Sequence, residues 1–223
     1  MGKDNTGIYL LNLQELLSGA ECAALFESAL GKADAVRREK ALGVKNARGR
    51  AAGLGAGLLL QRAVQDFQGG GTKDRPQKGG RYTVSGLLSE LGQPLPLTYR
   101  YGERGKPYFE DLPLYFNLSH SGDYVLCAVS DVEVGVDIQK IQPVNERKLA
   151  KRFFSEAECR VLEGCESSEG RRRLFFELWS RKEAYGKLTG EGIAAVIGRD
   201  MREEAADWQE VAAPEGYAAA VCT

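Results

Sequence analysis

FNLSHSGDYVLCAVSDVEVGVDIQK at residues 116–140 and LFFELWSRKEAYGKLTG at residues 174–190 are the stretches that decide the fold. The first stretch, extended back to Tyr115, contains three β-prone runs separated by Ser, Gly and Asp turn residues. The middle run is apolar enough to lie inside a sheet, and we expect the three runs to form adjacent strands. The second stretch belongs to a long predicted helix, from about Arg171 to Leu188.

The sequence between and after these stretches predicts two more helices and a closing strand. NERKLAKRFF at 145–154 favours a helix, and so does SEAECRVLEG at 155–164. Ser155 and Glu158 have the spacing of a capping box, and a glycine closes the segment. GYAAAVC at 216–222 predicts a final strand.

The sequence before residue 116 also mixes strands and helices. A local basic bias lies at 32–50, where seven Lys and Arg residues stand against two acidic ones. The predicted elements are a strand at 8–13, a helix at 14–30, a helix with a small-residue face at 51–67, a surface loop at 68–80 and a hairpin made of 97–101 and 106–109.

Composition narrows the class of protein. The 223 residues are 43% hydrophobic and 27% charged, which is ordinary for a soluble globular chain of one large domain or two small ones. The net charge of −1 provides no global field for nucleic acid, and no segment approaches the roughly 20 apolar residues of a membrane span. Five cysteines without a C-x-x-C pair favour free thiols over disulfides or a zinc site. Because the start lacks a secretory signal pattern, we expect a cytoplasmic protein.

Two β-prone runs carry polar residues that could do chemistry. His120 is the only histidine and lies between two serines. A lone histidine is more often structural, although a loop residue flanked by hydroxyls can bind phosphate. In VGVDIQK the strand period places Asp137 and Gln139 on one face, with Val136 and Ile138 on the other. Asp137 is then either a cation ligand or a strand-end residue that caps a turn, because a buried carboxylate needs a partner.

The long predicted helix carries Trp179, Glu183 and Lys187 on one stripe, at positions i, i+4 and i+8. Taken alone, Glu183 and Lys187 are explained by a solvated helix pair worth about 0.2–0.5 kcal/mol. Taken with Asp137 and His120, they suit a different role. Mg²⁺ prefers one or two carboxylates together with phosphates and waters, and Lys187 and His120 could neutralise phosphate charge. The four residues together predict a site for magnesium and a polyphosphate.

Four segments resemble one known family. FNLSHS, GVDIQ, FFSEAE and LWSRKEAYGKLTGEG, in this order and at these separations, closely resemble the 4′-phosphopantetheinyl transferases of the two-lobed, Sfp-type branch. The resemblance is strong over about residues 105–192. Before that, GKPYF resembles the family's G-K-P element, and the basic run with its following helix resembles the amino-terminal lobe more loosely.

The resemblance implies a pseudo-twofold α+β fold of two similar lobes, 1–112 and 113–223, with coenzyme A and Mg²⁺ in the cleft between them. It also implies a reaction, in which a serine hydroxyl of an apo acyl or peptidyl carrier protein attacks the β-phosphate of coenzyme A and 3′,5′-ADP leaves. The carrier would belong to fatty acid, polyketide or nonribosomal peptide synthesis. A two-lobed chain supplies both sides of its own cleft, so we expect a monomer.

The resemblance also assigns residues by motif position. Asp137 and Glu183 would be the metal carboxylates, and Glu183 or a metal-bound water would be the base for the incoming serine. Lys187 would bind the pyrophosphate and protonate the leaving group, and Trp179 would pack its helix into the cleft. The further contacts to coenzyme A would come from Ser119, His120 and Lys106, with the 3′-phosphate held by Arg48 and Lys40.

One position departs from the family. Many relatives carry a second acid where this chain has Gln139, whose amide oxygen can coordinate Mg²⁺ without adding negative charge, so that a water could fill the place instead. The alternative function is a non-catalytic coenzyme-A- or carrier-binding module with a decayed metal site. The joint presence of five site residues argues against decay, namely His120, Asp137, Lys182, Glu183 and Lys187.

Carrier proteins are acidic in general, which makes a basic helix face a candidate docking surface. Lys148, Lys151 and Arg152 fall on the helix predicted at 145–154. A solvated helix face explains the same residues equally well.

Overall fold

A computed structural model of the chain describes residues 5–69 and 79–223 and has a mixed α+β architecture. None of the helices in these two ranges is long and apolar enough to cross a lipid bilayer. The elements are β1 (Gly7–Asn12), α1 (Gln14–Leu17), α2 (Cys22–Lys32), α3 (Ala35–Gly43), α4 (Ala47–Gly69), β2 (Gly79–Thr83), α5 (Val84–Glu90), β3 (Tyr99–Tyr101), β4 (Pro107–Phe109), β5 (Tyr115–Ser121), β6 (Tyr124–Ser130), β7 (Gly135–Lys140), α6 (Glu146–Phe153), α7 (Glu156–Glu163), α8 (Ser168–Leu188), a 3₁₀ turn (Ile193–Val196), β8 (Trp208–Gln209) and β9 (Tyr217–Cys222).

The first sheet has the strand order β2-β1-β6-β5 and is covered on one face by α4. β1 pairs with β2 in parallel and with β6 antiparallel, and β5 pairs antiparallel with β6. Every second residue of β6 (Val125, Cys127 and Val129) lies in the core beneath α4, while Leu126 and Ala128 lie in a second core with β7 and β9. β6 is therefore apolar at almost every position because both of its faces are covered.

The second sheet has the strand order β7-β9-β8, is antiparallel throughout, and is covered by α8. Val136 and Ile138 face the first sheet and are fully buried there. Since side chains alternate along a strand, Gly135, Asp137 and Gln139 share the opposite face, towards α8. The face assignment made from the sequence for Asp137 is confirmed.

The two sheets meet along the edge strands β5 and β7, at a contact that we name the β5–β7 joint. No backbone ladder between these two strands appears among the sheet pairings of the described residues. Side chains at every second position of β5 instead accept hydrogen bonds from backbone N–H groups at every second position of β7. The three pairs are Val136 N to Asn117 Oδ1 at 3.3 Å, Ile138 N to Ser119 Oγ at 3.4 Å, and Lys140 N to Ser121 Oγ at 2.9 Å.

The β5–β7 joint shows that the predicted adjacency of the three strands is wrong in part. The runs at β5 and β6 are adjacent antiparallel strands, but β7 belongs to another sheet and pairs with β9. The expectation of three adjacent strands is therefore wrong for the third run. β5 and β6 belong to the same sheet as β1 although they follow residue 112, with β6 paired to β1 and β5 paired to β6, and the chain passes to the second sheet after β6. The division into lobes at 1–112 and 113–223 stays a prediction.

The amino-terminal helix prediction is also wrong in part. The segment 14–30 contains α1 and α2 with a break between Leu17 and Cys22. Gly19 lies in this break with φ of +116°, a backbone conformation that ends a helix.

Most of the surface loop predicted at 68–80 lies outside the described residues, while α4 runs through Gly69 and β2 begins at Gly79. The hairpin, the three helices after residue 144 and the closing strand are confirmed.

Candidate functional site

Asp137 is the centre of a buried polar cluster between β5, β7 and α8. Only 2% of its surface is exposed, and both carboxylate oxygens have protein partners. Oδ1 accepts hydrogen bonds from Ser119 Oγ and from Lys187 Nζ, each at 2.8 Å, and Oδ2 accepts one from Gln139 Nε2 at 2.9 Å. The reading of Asp137 as a turn-capping residue is wrong, because its partners come from three different side chains and one of them is a cation.

Lys187 occupies the last turn of α8 and reaches across to β7 and β5. Its ammonium group donates to Asp137 Oδ1, to Ser119 Oγ at 3.0 Å and to the Val136 carbonyl at 3.0 Å. These three acceptors match the three N–H bonds of a lysine ammonium group. Since 29% of the side chain is exposed, Lys187 lies between the buried carboxylate and solvent. A contact with a ligand oxygen would require Lys187 to exchange one of these partners.

Glu183 lies one helical turn before Lys187 on the same face of α8. Burial raises the pKa of Glu183 above its ordinary value, the nearby Asp137 carboxylate raises it further, and Lys187 opposes the shift. Within residues 5–69 and 79–223 the Glu183 carboxylate has no hydrogen bond or ion pair. Two neighbouring carboxylates with one lysine between them leave negative charge that a further cation would neutralise.

His120 follows Ser119 on β5 and presents an exposed imidazole. Partial desolvation of the ring lowers the pKa of His120, the charge of Lys187 lowers it further, and the charge of Asp137 raises it. The imidazole therefore lies within electrostatic reach of both residues. The turn after β5 carries Asp123, which forms an ion pair with Arg48 at the start of α4. Arg48 is thereby held at the turn that follows the strand of His120.

The two other predicted phosphate ligands have partners elsewhere. The Lys106 ammonium group pairs with Glu133 and donates to the carbonyl oxygen of Leu188, the last residue of α8, at 2.8 Å. Lys40 lies 4.5 Å from the centre of the Tyr101 ring and donates to the Tyr101 hydroxyl. Lys106 is thus held at the end of α8, whereas Lys40 lies against the β3–β4 hairpin.

Lys182, which precedes Glu183, points away from this cluster. It forms a fully buried ion pair with Glu158 of α7 at 2.9 Å and donates to the Val196 and Arg199 carbonyls at 3.4 and 2.5 Å. Glu158 also completes the capping box with Ser155. Lys182 is therefore part of the packing between α7 and α8.

Trp179 contributes to an aromatic core on the α6–α7 side of α8. Its ring centroid is 5.2 Å from that of Phe153 and 5.8 Å from that of Phe175. Such contacts fix the position of α8 relative to the preceding helices.

Asp137 and Glu183 are the two carboxylates of the cluster that could hold Mg²⁺. No group of three or more His, Cys, Asp or Glu side chains suited to a metal occurs in the described part of the chain. Mg²⁺ needs only one or two protein carboxylates when substrate phosphates and waters complete its octahedron, so Asp137 and Glu183 fit it. Gln139 donates its amide N–H to Asp137, which orients the Asp137 carboxylate.

The structure brings together Asp137, Glu183, Lys187 and Ser119, with His120 beside them. All five residues were predicted from the sequence, but the hydrogen bonds that Ser119 donates to Asp137 and accepts from Lys187 were not. A signal was available, because Asn117, Ser119 and Ser121 place hydrogen-bonding side chains at every second position of one strand. Such a row indicates a polar contact along that face of the strand.

Known proteins resemble this chain over the same region. Residues 133–222, which include Asp137, Glu183 and Lys187, match the sequence model of the 4′-phosphopantetheinyl transferase superfamily. The 4′-phosphopantetheinyl transferase AcpT of Escherichia coli K12 is 37% identical over 140 residues, which are 61% of this chain and 71% of that protein. The 4′-phosphopantetheinyl transferase Sfp of Bacillus subtilis strain 168 is 42% identical over 93 residues, 41% of each chain.

Other relatives are matched over a smaller share of their length. The 4′-phosphopantetheinyl transferase psf-1 of Bacillus pumilus is 48% identical over 91 residues, which are 40% of this chain and 38% of that protein. The matched segment covers 38% of psf-1, 47% of a Synechocystis relative and 45% of a second Bacillus subtilis relative. The chain thus spans less than half the length of each of these curated relatives.

Proposed function

Because the chain belongs to the 4′-phosphopantetheinyl transferase family, we propose that it transfers the 4′-phosphopantetheine group of coenzyme A to a serine of an apo acyl or peptidyl carrier protein. The reaction depends on Mg²⁺ and releases 3′,5′-ADP. The observation that carries this proposal is the polar cluster in which Glu183 and Lys187 of α8 come together with the buried Asp137 of β7. Two carboxylates and one lysine are the groups that a pyrophosphate with its metal requires.

The proposed step exchanges one P–O bond for another. The serine oxygen of the carrier bonds to the β-phosphorus of coenzyme A, and the bond from that phosphorus to the bridging oxygen breaks. The serine proton goes to a base, and the bridging oxygen leaves as part of 3′,5′-ADP. Phosphoryl transfer of this kind needs in-line positioning and neutralisation of charge on the oxygens.

Glu183 is the candidate base in this chain. It lies one helical turn from Lys187 and close to Asp137, so its carboxylate is placed to take the serine proton beside the proposed pyrophosphate site. The group also has no competing hydrogen bond within the described residues. A base adds typically about 10²–10⁴-fold to a rate when it lies within hydrogen-bond reach of the proton.

Asp137 and Glu183 would hold Mg²⁺, with Gln139 either in its shell or orienting Asp137. When bound, the ion supplies positive charge to the pyrophosphate oxygens. Lys187 supplies a second positive charge by exchanging one of its present acceptors for a phosphate oxygen. It can also hold a proton towards the leaving oxygen.

The remaining contacts to coenzyme A are proposed from their places around the cluster. His120 and Arg48 lie by the turn after β5, and Lys106 lies at the end of α8. Lys40, on α3, is retained as a ligand for the 3′-phosphate, which requires it to leave the Tyr101 ring. Action as a cytoplasmic monomer stays a prediction.

Carrier docking is proposed for the basic face of α6. Lys148, Lys151 and Arg152 are exposed there, on the helix that follows β7. An acidic carrier helix would meet complementary charge on this face, which raises association rates more than affinity.

The test incubates the protein with coenzyme A, MgCl₂ and a purified apo carrier, and weighs the carrier by intact mass spectrometry. We expect a mass gain equal to one phosphopantetheine group, which EDTA prevents. Asp137→Asn and Glu183→Gln, which preserve shape while removing charge, should each lower the initial rate by at least about 10²-fold. Unchanged thermal unfolding of both variants would assign the loss to chemistry.

A wild-type protein that modifies no carrier but binds coenzyme A in calorimetry would contradict the proposal. That result would support the non-catalytic binding module. Full activity of Glu183→Gln would remove Glu183 from the role of base, while the transfer itself would stand.

A further inference from the structure

The hydroxyl of Ser119 lies where three elements meet. Ser119 is on β5, Asp137 and Ile138 are on β7, and Lys187 is on α8. The side chain is 7% exposed, and its oxygen lies within 3.4 Å of a polar atom from each of these three residues. A single oxygen thus connects the β5–β7 joint to the proposed metal carboxylate and to the proposed phosphate ligand.

The hydrogen-bonding capacity of this hydroxyl is fully used. A serine hydroxyl has one proton to donate and two lone pairs to accept. Ser119 donates its proton to Asp137 Oδ1 at 2.8 Å and accepts from Lys187 Nζ at 3.0 Å and from Ile138 N at 3.4 Å. A phosphate oxygen accepts hydrogen bonds, so binding it would require the one proton that Asp137 already receives.

We propose that Ser119 is a positioning residue, which fixes the Asp137 carboxylate and the Lys187 ammonium group relative to each other, and is not a ligand of coenzyme A. The inference rests on the proposed function, because it assigns how that site is assembled. It replaces the phosphate contact that the family resemblance implies for this residue.

The energetic reason lies in the burial of the cluster. Asp137 and Lys187 sit on different elements, so their 2.8 Å contact depends on how α8 and β7 are held. Ser119 bonds to both groups and adds a third fixed point. Residues that orient a metal carboxylate typically contribute about 10–100-fold to metal affinity or activity.

The chain offers a matched control on the same strand. Ser121 accepts a hydrogen bond from Lys140 N at 2.9 Å and so forms another rung of the β5–β7 joint. No hydrogen bond connects its hydroxyl to Asp137 or Lys187 among the described residues. Ser119→Ala and Ser121→Ala each remove one rung, but only the first removes the contact to the carboxylate.

Two binding measurements separate positioning from phosphate contact. Mn²⁺, a spectroscopic substitute for Mg²⁺, is titrated by electron paramagnetic resonance into each variant saturated with coenzyme A. Coenzyme A binding is measured separately by calorimetry in EDTA. For Ser119→Ala we expect Mn²⁺ affinity to fall about 10–100-fold and kcat to fall with it, while metal-free coenzyme A affinity stays within about twofold of wild type. Ser121→Ala should match wild type in both measurements.

The opposite pattern overturns the inference. If Ser119→Ala weakens metal-free coenzyme A binding about tenfold and keeps wild-type Mn²⁺ affinity, Ser119 is a phosphate ligand. In that case carrier modification by wild type would still uphold the proposed function, so the two failures are distinguishable.

A further measurement does not depend on activity or metal. The Lys187 ammonium protons, held by three acceptors, should exchange slowly enough at low temperature to give a nitrogen–proton NMR signal in wild type and in Ser121→Ala. We expect the signal to be lost in Ser119→Ala. An unchanged signal in that variant would show that Ser119 does not hold Lys187, even if no carrier were modified by wild type.

Discussion

The two long helices, α4 and α8, each cover one sheet, but they approach their sheets through different atoms. α4 contacts the first sheet through side chains. A Cβ built on its Gly55 would lie 2.6 Å from Leu13 Cδ2 and 3.0 Å from Leu11 Cδ2, which are the ends of flexible side chains. α8 contacts the second sheet through backbone. A Cβ built on Gly135 of β7 would overlap the Ala184 carbonyl oxygen and lie 2.6 Å from the Leu188 backbone nitrogen.

This difference explains where the candidate site lies. Leucine side chains can change rotamer to accommodate a shift of α4, whereas a backbone contact fixes the distance between α8 and β7. Glu183 and Lys187 on α8 are therefore held at a set distance from Asp137 on β7. A site that must keep opposed charges within hydrogen-bond distance requires this kind of contact.

The largest expected effect comes from Gly135→Ala. The added methyl group cannot fit without moving α8 away from β7, so we expect a loss of about 5 kcal/mol in the free energy of unfolding, beyond the usual range for a point variant. Gly55→Ala is the matched variant under α4. Repacking of two leucine ends, offset by the better helix propensity of alanine, should limit its loss to about 1 kcal/mol.

Urea unfolding followed by circular dichroism checks both values. Equal losses in the two variants would contradict the contrast between side-chain and backbone packing. Carrier modification at a temperature where both variants remain folded should fall in Gly135→Ala only.

The next effect concerns the largest polar side chain that each helix buries. α4 buries the neutral Gln61, which donates to the Lys32 carbonyl and accepts from Leu95 N, whereas α8 buries Lys182 against Glu158. Lys182→Met leaves the Glu158 charge buried without its partner, so we expect a loss of about 3–5 kcal/mol. Gln61→Met leaves two backbone groups unpaired and should cost about 1–3 kcal/mol.

A second substitution tests the charge argument for Lys182. Glu158→Gln keeps an acceptor for the capping box but removes the buried charge. Added to Lys182→Met, it should recover part of the lost stability in urea unfolding. A double variant less stable than Lys182→Met alone would assign the effect to packing.

The contrast between the helices also separates what the sequence could predict from what it could not. Local signals were sufficient for α7, whose capping box of Ser155 and Glu158 is confirmed, and for the apolar strand β6. The burial of Lys182 depends on how α7 packs on α8, which no local pattern contains. The pairing of β7 with β9 joins residues far apart in the chain, so periodicity could not find it.

The candidate site was predictable to a similar degree. Strand and helix periods placed Asp137 on one face of β7 and Glu183 with Lys187 on one face of α8. They could not show that β5 meets β7 through side chains, because this joint replaces the ordinary backbone ladder. The alternating polar row on β5 indicates a polar contact, but that the partners of Ser119 are Asp137 and Lys187 is visible only in the assembled structure.

A smaller effect is expected for Gln139→Glu on the α8 side of β7. The new carboxylate would face Asp137 in place of an N–H donor, so the metal-free protein should lose about 1 kcal/mol of stability. Mg²⁺ would relieve this repulsion, and the Mg²⁺ concentration for half-maximal rate should fall a few-fold. Thermal unfolding in EDTA and in MgCl₂ measures the first effect, and initial rates measure the second. An unchanged Mg²⁺ dependence would place Gln139 outside the metal shell.

The smallest effect tests whether the charges of Asp137 on β7 and Lys187 on α8 act on His120 of β5. His120 has a pKa lowered from the ordinary 6.5 by partial desolvation of its ring and by Lys187. The unfolded chain therefore binds this proton more readily than the folded protein, so stability from His120 is present above pH 6.5 and is lost as the pH falls through the lower, folded pKa.

His120 is the only histidine, so NMR titration of its ring gives the pKa without overlap from other histidines. We expect a pKa below 6.5 in wild type and a higher pKa in Lys187→Met, because that variant removes the neighbouring positive charge. Asp137→Asn should lower the pKa further, since Asp137 opposes the shift in wild type. Identical titration curves in all three proteins would show that Asp137 and Lys187 do not act electrostatically on His120, and would leave desolvation of the ring as the sole cause of the shift.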